Sequence, residues 1–103
     1  MSAGNAPTYA VTFTDVAQEE LNLLARHARY TARAAETGAA VRQIMARLTT
    51  DPRTFGEPLF LFSRLRLMIR TAAIAPVVFE YAVHEDKPFV IVRRVTGMSG
   101  PVG

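Results

Sequence analysis

The chain has 103 residues, half of them hydrophobic, which is enough to build one packed domain without covalent cross-links. It contains no cysteine, so disulfides and thiolate metal sites are excluded. Residues 1–7 lack the basic and apolar segments of a signal peptide, and no apolar run approaches the roughly 18 residues that cross a bilayer. We therefore predict a cytoplasmic protein.

The net charge of +3 is concentrated in the second part of the chain. Residues 1–63 carry six basic and six acidic side chains, whereas residues 64–103 carry six basic and three acidic ones. Eleven of the twelve basic residues are arginine, whose planar guanidinium pairs well with phosphates and carboxylates. This favours a nucleic acid or an acidic protein segment as the partner, although a GC-rich genome also produces an arginine preference.

The first half of the chain is predicted to form one strand and two helices. Residues 8–13 alternate between polar and apolar side chains, as a short strand does. A helix is predicted to start at Thr14 or Asp15, and with Asp15 as the N-cap, Gln18 falls at the third helical position. A second helix is predicted from Thr31 to Leu48, where apolar side chains recur at helical spacing.

The segments around these elements are less regular. Gly38 interrupts the second helix and indicates either close helix packing or a break into two helices. Residues 49–58 are predicted to form a loop because they contain two prolines and a glycine. The apolar run 59–62 is expected to be buried in the core rather than to form a docking surface for a partner. Residues 1–7 and 97–103 are predicted to be loose tails of a single domain.

The segment from Arg64 to Arg70 alternates with period 2, as a strand with two different faces does. One predicted face is apolar and carries Leu65, Leu67 and Ile69. The other predicted face carries Arg64, Arg66, Met68 and Arg70. The apolar face is expected to cover the core, and the arginine face is either a solvated outer face or the contact to an anionic partner.

Two further strands complete the predicted fold. They span residues 77–84 and 89–95, and the second is predicted to be an inner strand because it is almost entirely apolar. The element order β-α-α-β-β-β indicates an α+β domain, in which two N-terminal helices pack on one face of a mostly antiparallel four-stranded sheet. The arginines are predicted to lie on the other face. The predicted core joins side chains from both layers: Leu21, Leu24, Ile44, Leu48, Leu67, Ile69, Phe79, Tyr81 and Ile91.

At this level the chain resembles the RelE/ParE toxins of type II toxin–antitoxin pairs. The resemblance rests on short segments that occur in the same order as in that family: residues 9–14, 51–52, 55–59, 65–70, 78–83 and 90–95. They look like the family's first strand and helix start, its loop of the form D-P followed by G-x-P-L, and its three later strands. The resemblance covers about residues 8–96 and implies the RelE/ParE fold.

The resemblance implies a compact toxin that an antitoxin neutralises by wrapping its surface. It also implies one of two targets, since RelE-like members cut mRNA in the ribosome and ParE-like members inhibit DNA gyrase. RNA cleavage needs a base for the 2′-hydroxyl, cations for the phosphorane and an acid for the leaving oxygen. Arg66 and Arg70 match basic positions of the RelE strand and are the candidate catalytic residues. Arg64, Arg93 and Arg94 are the candidate contacts to the target or the antitoxin.

Two departures from the RelE pattern count against cleavage. Residues 74–77 lack the arginine that RelE-like members carry early in the third strand, and residues 96–103 lack the tyrosine or histidine that serves as acid or base. The alternative function is therefore a protein of this fold that only binds a protein or nucleic acid. A third hypothesis is a structural subunit whose arginine face meets an acidic partner.

The sequence predicts no metal site and no other cofactor. His27 and His84 are the two histidines of the chain, and they lie in different predicted elements. His84 is followed by Glu85 and Asp86, but three adjacent residues on a turn rarely converge on one metal ion. This segment is therefore expected to be a solvated turn.

Overall fold

The structure, a computed structural model, describes residues 8–98. Within this range the elements are β1 (Ala10–Phe13), α1 (Asp15–Tyr30), α2 (Ala34–Thr50), β2 (Glu57–Phe62), β3 (Leu67–Ile74), β4 (Val77–His84) and β5 (Phe89–Gly97). The predicted leader at 1–7 and residues 99–103 of the predicted tail lie outside the described residues. Gly97 was predicted to start that tail, but it pairs with Val77 as the last residue of β5.

The described strands form a single five-stranded sheet in the order β1-β5-β4-β3-β2. β1 runs parallel to β5, because the two helices lie between β1 and the rest of the sheet along the chain. The later strands have short links and pair antiparallel as a meander. The predicted α+β class, with two helices and a mostly antiparallel sheet, is confirmed, and β5 is an inner strand as predicted. The sheet has five described strands instead of four.

The additional strand is β2, and its existence overturns the prediction for the apolar run. Residues 57–62 pair with β3 on one side only, so β2 forms an edge of the sheet. Its side chains are all exposed, and those of residues 59–62 keep 41–50% of their surface accessible. The prediction that this run is buried is wrong. The cause is the hairpin with β3, which places the run at the rim of the sheet rather than beneath the helices.

The turn of this hairpin also shortens the predicted arginine strand. Residues 63–66 form the turn, in which Leu65 N–H donates to the Phe62 oxygen at 3.2 Å and Arg66 N–H donates to the Ser63 oxygen at 3.2 Å. Arg66 has a left-handed φ of 54°, which ends the alternation of side chains. β3 therefore starts at Leu67. The prediction that the first two arginines share a strand face with Arg70 is wrong.

The helices cover the opposite face of β3 from the one that was predicted to face the core. Arg70 pairs with Tyr81 and lies on the side that faces the helices, whereas Ile69 pairs with Ala82 and lies on the opposite side, here named the open face. Alternation places neighbouring side chains on opposite faces, but it does not tell which face the helices cover. The predicted placement of Leu67 and Ile69 against the helices is therefore wrong.

The main core lies between the helices and the helix-facing side of the sheet. Ile44 and Leu48 of α2 are fully buried against Phe79 and Tyr81 of β4, as predicted. Leu21 and Leu24 of α1 are partly buried against the same core. The remaining predicted core residues lie on the open face, where Ile69 is buried and Leu67 and Ile91 are half-buried.

α1 starts at Asp15, one of its two predicted starting residues, whereas both ends of α2 differ from the predicted ones. Thr14, not Asp15, is the N-cap of α1, and its Oγ1 accepts a hydrogen bond from Ala17 N–H at 3.0 Å. α2 begins at Ala34 and ends at Thr50, three residues after its predicted start and two after its predicted end. Gly38 lies inside this continuous helix, so the alternative of a break into two helices is wrong.

The burial pattern predicts different costs for two leucine truncations. Leu48→Ala removes a fully buried side chain beneath the sheet, so the free energy of unfolding should fall by about 2–5 kcal/mol. Leu67→Ala acts on a half-buried side chain of the open face and should cost less than about 2 kcal/mol. Urea denaturation followed by circular dichroism measures both values. An equal or larger loss for Leu67→Ala would contradict the assigned faces of β3.

Two glycines provide a second test. Gly56 has a φ of 73°, and an added Cβ would clash with the Thr71 backbone oxygen, so Gly56→Ala should cost at least about 1–3 kcal/mol. Gly38→Ala is the matched control, since its Cβ would meet only the flexible Arg42 guanidinium at 3.3 Å. That change should be neutral or stabilise α2 by up to about 1 kcal/mol. Thermal unfolding of both variants is the measurement. A melting temperature for Gly56→Ala equal to or above that of the unchanged chain would contradict the loop conformation.

Candidate functional site

A cleft with two arginines and one carboxylate opens beside the ends of β3 and β4. Its cavity has a volume of about 260 Å³. We name this cavity the arginine cleft, and it is lined by Arg53, Met68, Arg70, Val83 and Glu85. They come from the loop after α2, from two paired strands and from the turn that follows β4, so only the fold brings them together.

Arg53 was not predicted as a site residue. It follows Pro52, which is fully buried, and its Nη2 donates to the backbone oxygens of His84 at 3.0 Å and Glu85 at 2.6 Å. Its guanidinium also lies 5.9 Å from the centre of the Tyr9 ring. These contacts hold the side chain across the turn after β4, while its other N–H groups remain for a ligand.

Arg70 connects β3 to the loop that precedes β2. Its Nε donates to the Phe55 oxygen at 3.0 Å, and its Nη2 donates to the Gly56 oxygen at 3.1 Å. Tyr81 supports the same loop, because its single hydroxyl hydrogen is shared between the Phe55 oxygen at 2.5 Å and the Pro52 oxygen at 3.2 Å. Burial raises the pKa of Tyr81, which keeps the hydroxyl protonated as a donor. Arg70 is therefore held by the fold as well as facing the cavity.

Arg66 does not reach the lining of the cleft. Its guanidinium forms a two-point ion pair with Asp86 through Nε and Nη2, the latter at 3.0 Å from Oδ1. Glu85 lies further away, with an oxygen 3.9 Å from Arg66 Nη2. The hydrogen bond from Arg66 lowers the pKa of Asp86. Two carboxylates thus offset the charge of this predicted catalytic residue.

The two consecutive arginines of β5 are also paired within the chain. Arg94 binds Glu20 of α1 through Nε at 2.9 Å and Nη2 at 2.7 Å, and Glu20 also accepts a hydrogen bond from Val95 N–H at 2.8 Å. Arg93 lies 3.1 Å from the Glu80 carboxylate and its guanidinium lies 6.0 Å from the centre of the Phe62 ring. The Arg94 contacts tie α1 to the sheet, and each of these two predicted partner-binding arginines already has a carboxylate partner within the chain.

The structure therefore brings together few of the predicted site residues. Of the five predicted arginines, Arg70 alone lines the cleft, and within residues 8–98 Arg64 forms no ion pair. Sequence analysis missed the residues that join Arg70 at the cleft, because Arg53 and Glu85 lie 32 residues apart in the chain. No local pattern signals such a pair.

A second feature of the surface is the open face. Phe60 and Phe62 of β2 contact each other edge to face, with ring centres 5.0 Å apart. By their pairing with β3, they lie on the same face as the buried side chains of Ile69 and Ala82. Within residues 8–98, no helix covers this face, so its outer aromatic side chains remain accessible.

Another cavity, with a mostly apolar lining, is separate from the arginine cleft. It has a volume of about 550 Å³ and lies between α1 and the ends of α2 and β5. Leu23, Leu24 and Met98 contribute apolar walls, and His27 lies at its border. The carboxylate of Glu20 also lines it, but this group is already bound by Arg94. The cavity thus lacks a set of converging free charges.

The described residues contain no group of three or more acidic or histidine side chains placed to hold a metal ion. His84 instead stabilises the turn after β4, since its Nδ1 accepts hydrogen bonds at 3.0 Å from the backbone N–H groups of Asp86 and Lys87. No helix in the described part of the chain is both long enough and apolar enough to cross a membrane.

Comparison with known proteins identifies the fold. No protein-family model and no curated protein matches this sequence. A chain of the toxin–antitoxin complex RelBE2 from Mycobacterium tuberculosis is similar with a TM-score of 0.62 and 21% identity, over 88% of this chain and 92% of that one. A chain of the chromosomal ParDE toxin–antitoxin system from P. aeruginosa has a TM-score of 0.62 and 11% identity, over 89% and 98% of the two chains. The predicted RelE/ParE resemblance is confirmed at the level of the fold.

The Glu20 contacts predict a pH-dependent contribution to stability. The hydrogen bonds from Arg94 lower the pKa of Glu20 in the folded state, so its stabilisation is present near neutral pH and is lost as the carboxylate becomes protonated. Glu20→Gln should lower the free energy of unfolding at pH 7, and the deficit should shrink below about pH 4.5. Urea denaturation across this range is the measurement, with Glu19→Gln on the exposed side of α1 as the control. A deficit that is independent of pH would contradict the ion pair.

Proposed function

We propose that this chain is the toxin-like component of a toxin–antitoxin pair and that a cognate antitoxin protein holds it inactive. The observation that carries the proposal is the shared fold. The RelBE2 and ParDE chains described above come from toxin–antitoxin systems, and each match spans nearly nine tenths of this chain. The order of the resembling sequence segments supports the same conclusion independently of the coordinates.

The arginine cleft supports an anionic target such as RNA. Arg53 and Arg70 line the same cavity and keep N–H groups that their backbone contacts leave free, and guanidinium groups of this kind bind phosphate. Glu85 is the one carboxylate among the five lining residues, and a positioned carboxylate is a candidate general base. The lining contains no candidate for the acid that protonates the leaving oxygen. Cleavage of mRNA on the ribosome is therefore expected to be weak, and DNA gyrase is the other target of the proposal.

A second candidate function is binding without catalysis. It is favoured by the contacts of the predicted arginines, since Arg66, Arg70, Arg93 and Arg94 are all engaged by groups of the same chain. Such a protein would retain the fold and the antitoxin partner but would not cut RNA. The two candidates differ in whether the chain stops growth, and one experiment separates them.

The test is induced expression of the chain alone and together with the product of a short adjacent reading frame. We expect growth to stop when the chain is expressed alone and to resume when the neighbouring protein is co-expressed. Intact mRNA and altered plasmid supercoiling would assign gyrase as the target, whereas fragmented mRNA would assign the ribosome. Unchanged growth under all conditions, with folded protein present, would overturn the toxin assignment and leave the binding function.

A variant of the cleft distinguishes cleavage from binding. Glu85→Gln removes the proton acceptor but keeps the shape of the side chain and the backbone oxygen that Arg53 binds. If the chain cuts mRNA, this change should reduce cleavage by at least about a hundredfold, which is the usual contribution of a positioned general base. Glu36→Gln is the control, because Glu36 lies on α2 and pairs with the exposed Arg33. Full cleavage by Glu85→Gln would remove this carboxylate from the chemistry.

A further inference from the structure

The outer edge of β2 is an unusual surface for a chain that acts alone. β2 is the last strand of the sheet, so only its inner edge pairs with another strand among the described residues. Its outer edge therefore presents N–H and C=O groups beside the exposed apolar side chains of residues 59–62. An open edge with apolar side chains is a template for the addition of another strand.

The charges at the two ends of this edge are complementary to each other. Glu57 is the first residue of β2, and Arg64 follows two residues after its end. Neither side chain forms an ion pair within residues 8–98. A second copy that pairs antiparallel reverses the order, so that its Arg64 lies near Glu57 of the first copy. The two-fold axis repeats the same contact at the other end.

We propose that two copies of this chain associate through their β2 edges, antiparallel, so that one sheet continues across both molecules. In an antiparallel pair, residues directly opposite each other lie on the same face of the sheet. A two-fold axis that passes through Phe60 or Leu61 therefore keeps the phenylalanines of both copies on the open face. Either position of the axis places the turn that carries Arg64 beside the start of the second copy's β2, where Glu57 lies. The edge-to-face pair of Phe60 and Phe62 then continues into the phenylalanines of the second copy.

Two features limit the length of this shared ladder. Pro58 has no N–H to donate, and the register of β2 shifts between Pro58 and Phe60. By the two-fold symmetry both ends of the ladder are limited in the same way, so the pairing is confined to the apolar residues 59–62. Because so short a strand buries less surface than a standard protein interface, the dimer should be weak and should form with increasing concentration. None of its contacts uses a residue that lines the arginine cleft, so the proposal does not depend on the proposed function.

The test is sedimentation of the purified full-length chain over a range of concentrations. We expect reversible dimers. Leu61→Lys should raise the dissociation constant of the dimer at least about 30-fold, because each copy then places a charged side chain near the middle of the interface instead of an apolar one. Leu23→Lys is the control, since Leu23 lies on α1 and is exposed to a similar degree, at 53% against 44% for Leu61. Circular dichroism verifies that each variant is folded.

Charge reversal provides the second variant and tests the orientation. Arg64→Glu places two acidic groups together at both ends of the dimer and should raise the dissociation constant about tenfold, and adding Glu57→Lys should restore it. A chain that stays monomeric at all concentrations would overturn the proposal. So would a dimer that Leu61→Lys does not weaken, or one that the double reversal does not restore. Protection of the β2 amides from hydrogen exchange only when the product of the adjacent reading frame is added would overturn the proposal and assign the edge to that protein instead.

Discussion

The position of the loop between α2 and β2 depends on one shared acceptor, the backbone oxygen of Phe55. The hydroxyl of Tyr81 and the guanidinium of Arg70 both donate to it from the helix-facing side of the sheet. The Phe55 ring stacks on the Tyr81 ring at 6.5 Å, and the Arg47 guanidinium lies 4.5 Å from its centre. Since a buried carbonyl group must be satisfied, these contacts determine where the loop runs.

Several other features follow from that loop. Arg53 lies within it, so the loop places this guanidinium beside the turn after β4 and closes one side of the arginine cleft. Gly56 ends it with a left-handed φ of 73° that turns the chain into β2. The positions of β2, the arginine cleft and Tyr81 therefore depend on the same loop. A change in the loop affects the candidate site and the edge of the sheet together.

The arginines of this chain mostly hold its own elements in place. Arg94 fastens α1 to β5, Arg66 fastens the turn before β3 to the turn after β4, and Arg70 fastens the loop to β3. A guanidinium can satisfy several backbone or carboxylate oxygens at fixed angles, which suits it to this work. An excess of arginine therefore does not by itself identify a nucleic-acid surface. The cleft stands out because two arginines there retain free donors beside a cavity.

The sequence by itself determined the class of the fold and every described element except β2. The apolar stripes of the helices, the apolar run of β5 and the order of elements depend on periodicities that are local, so the two-layer α+β arrangement and the burial of Phe79 and Tyr81 could be predicted. The tight turn at 63–66 was missed because apolar and arginine side chains alternate through it as they would in a strand. The left-handed φ of Arg66, which does not allow a strand, cannot be seen in the sequence.

Only the tertiary structure decided which face of β3 the helices cover and which carboxylate each arginine meets. Alternation is symmetrical between the two faces of a strand, so the side that faces the core depends on how the helices dock. The ion-pair partners of Arg66 and Arg94 lie 20 and 74 residues away in the chain. Contacts at such separations are set by the packing of whole elements, and for that reason the cleft between Arg53 and Arg70 exists only in the folded chain.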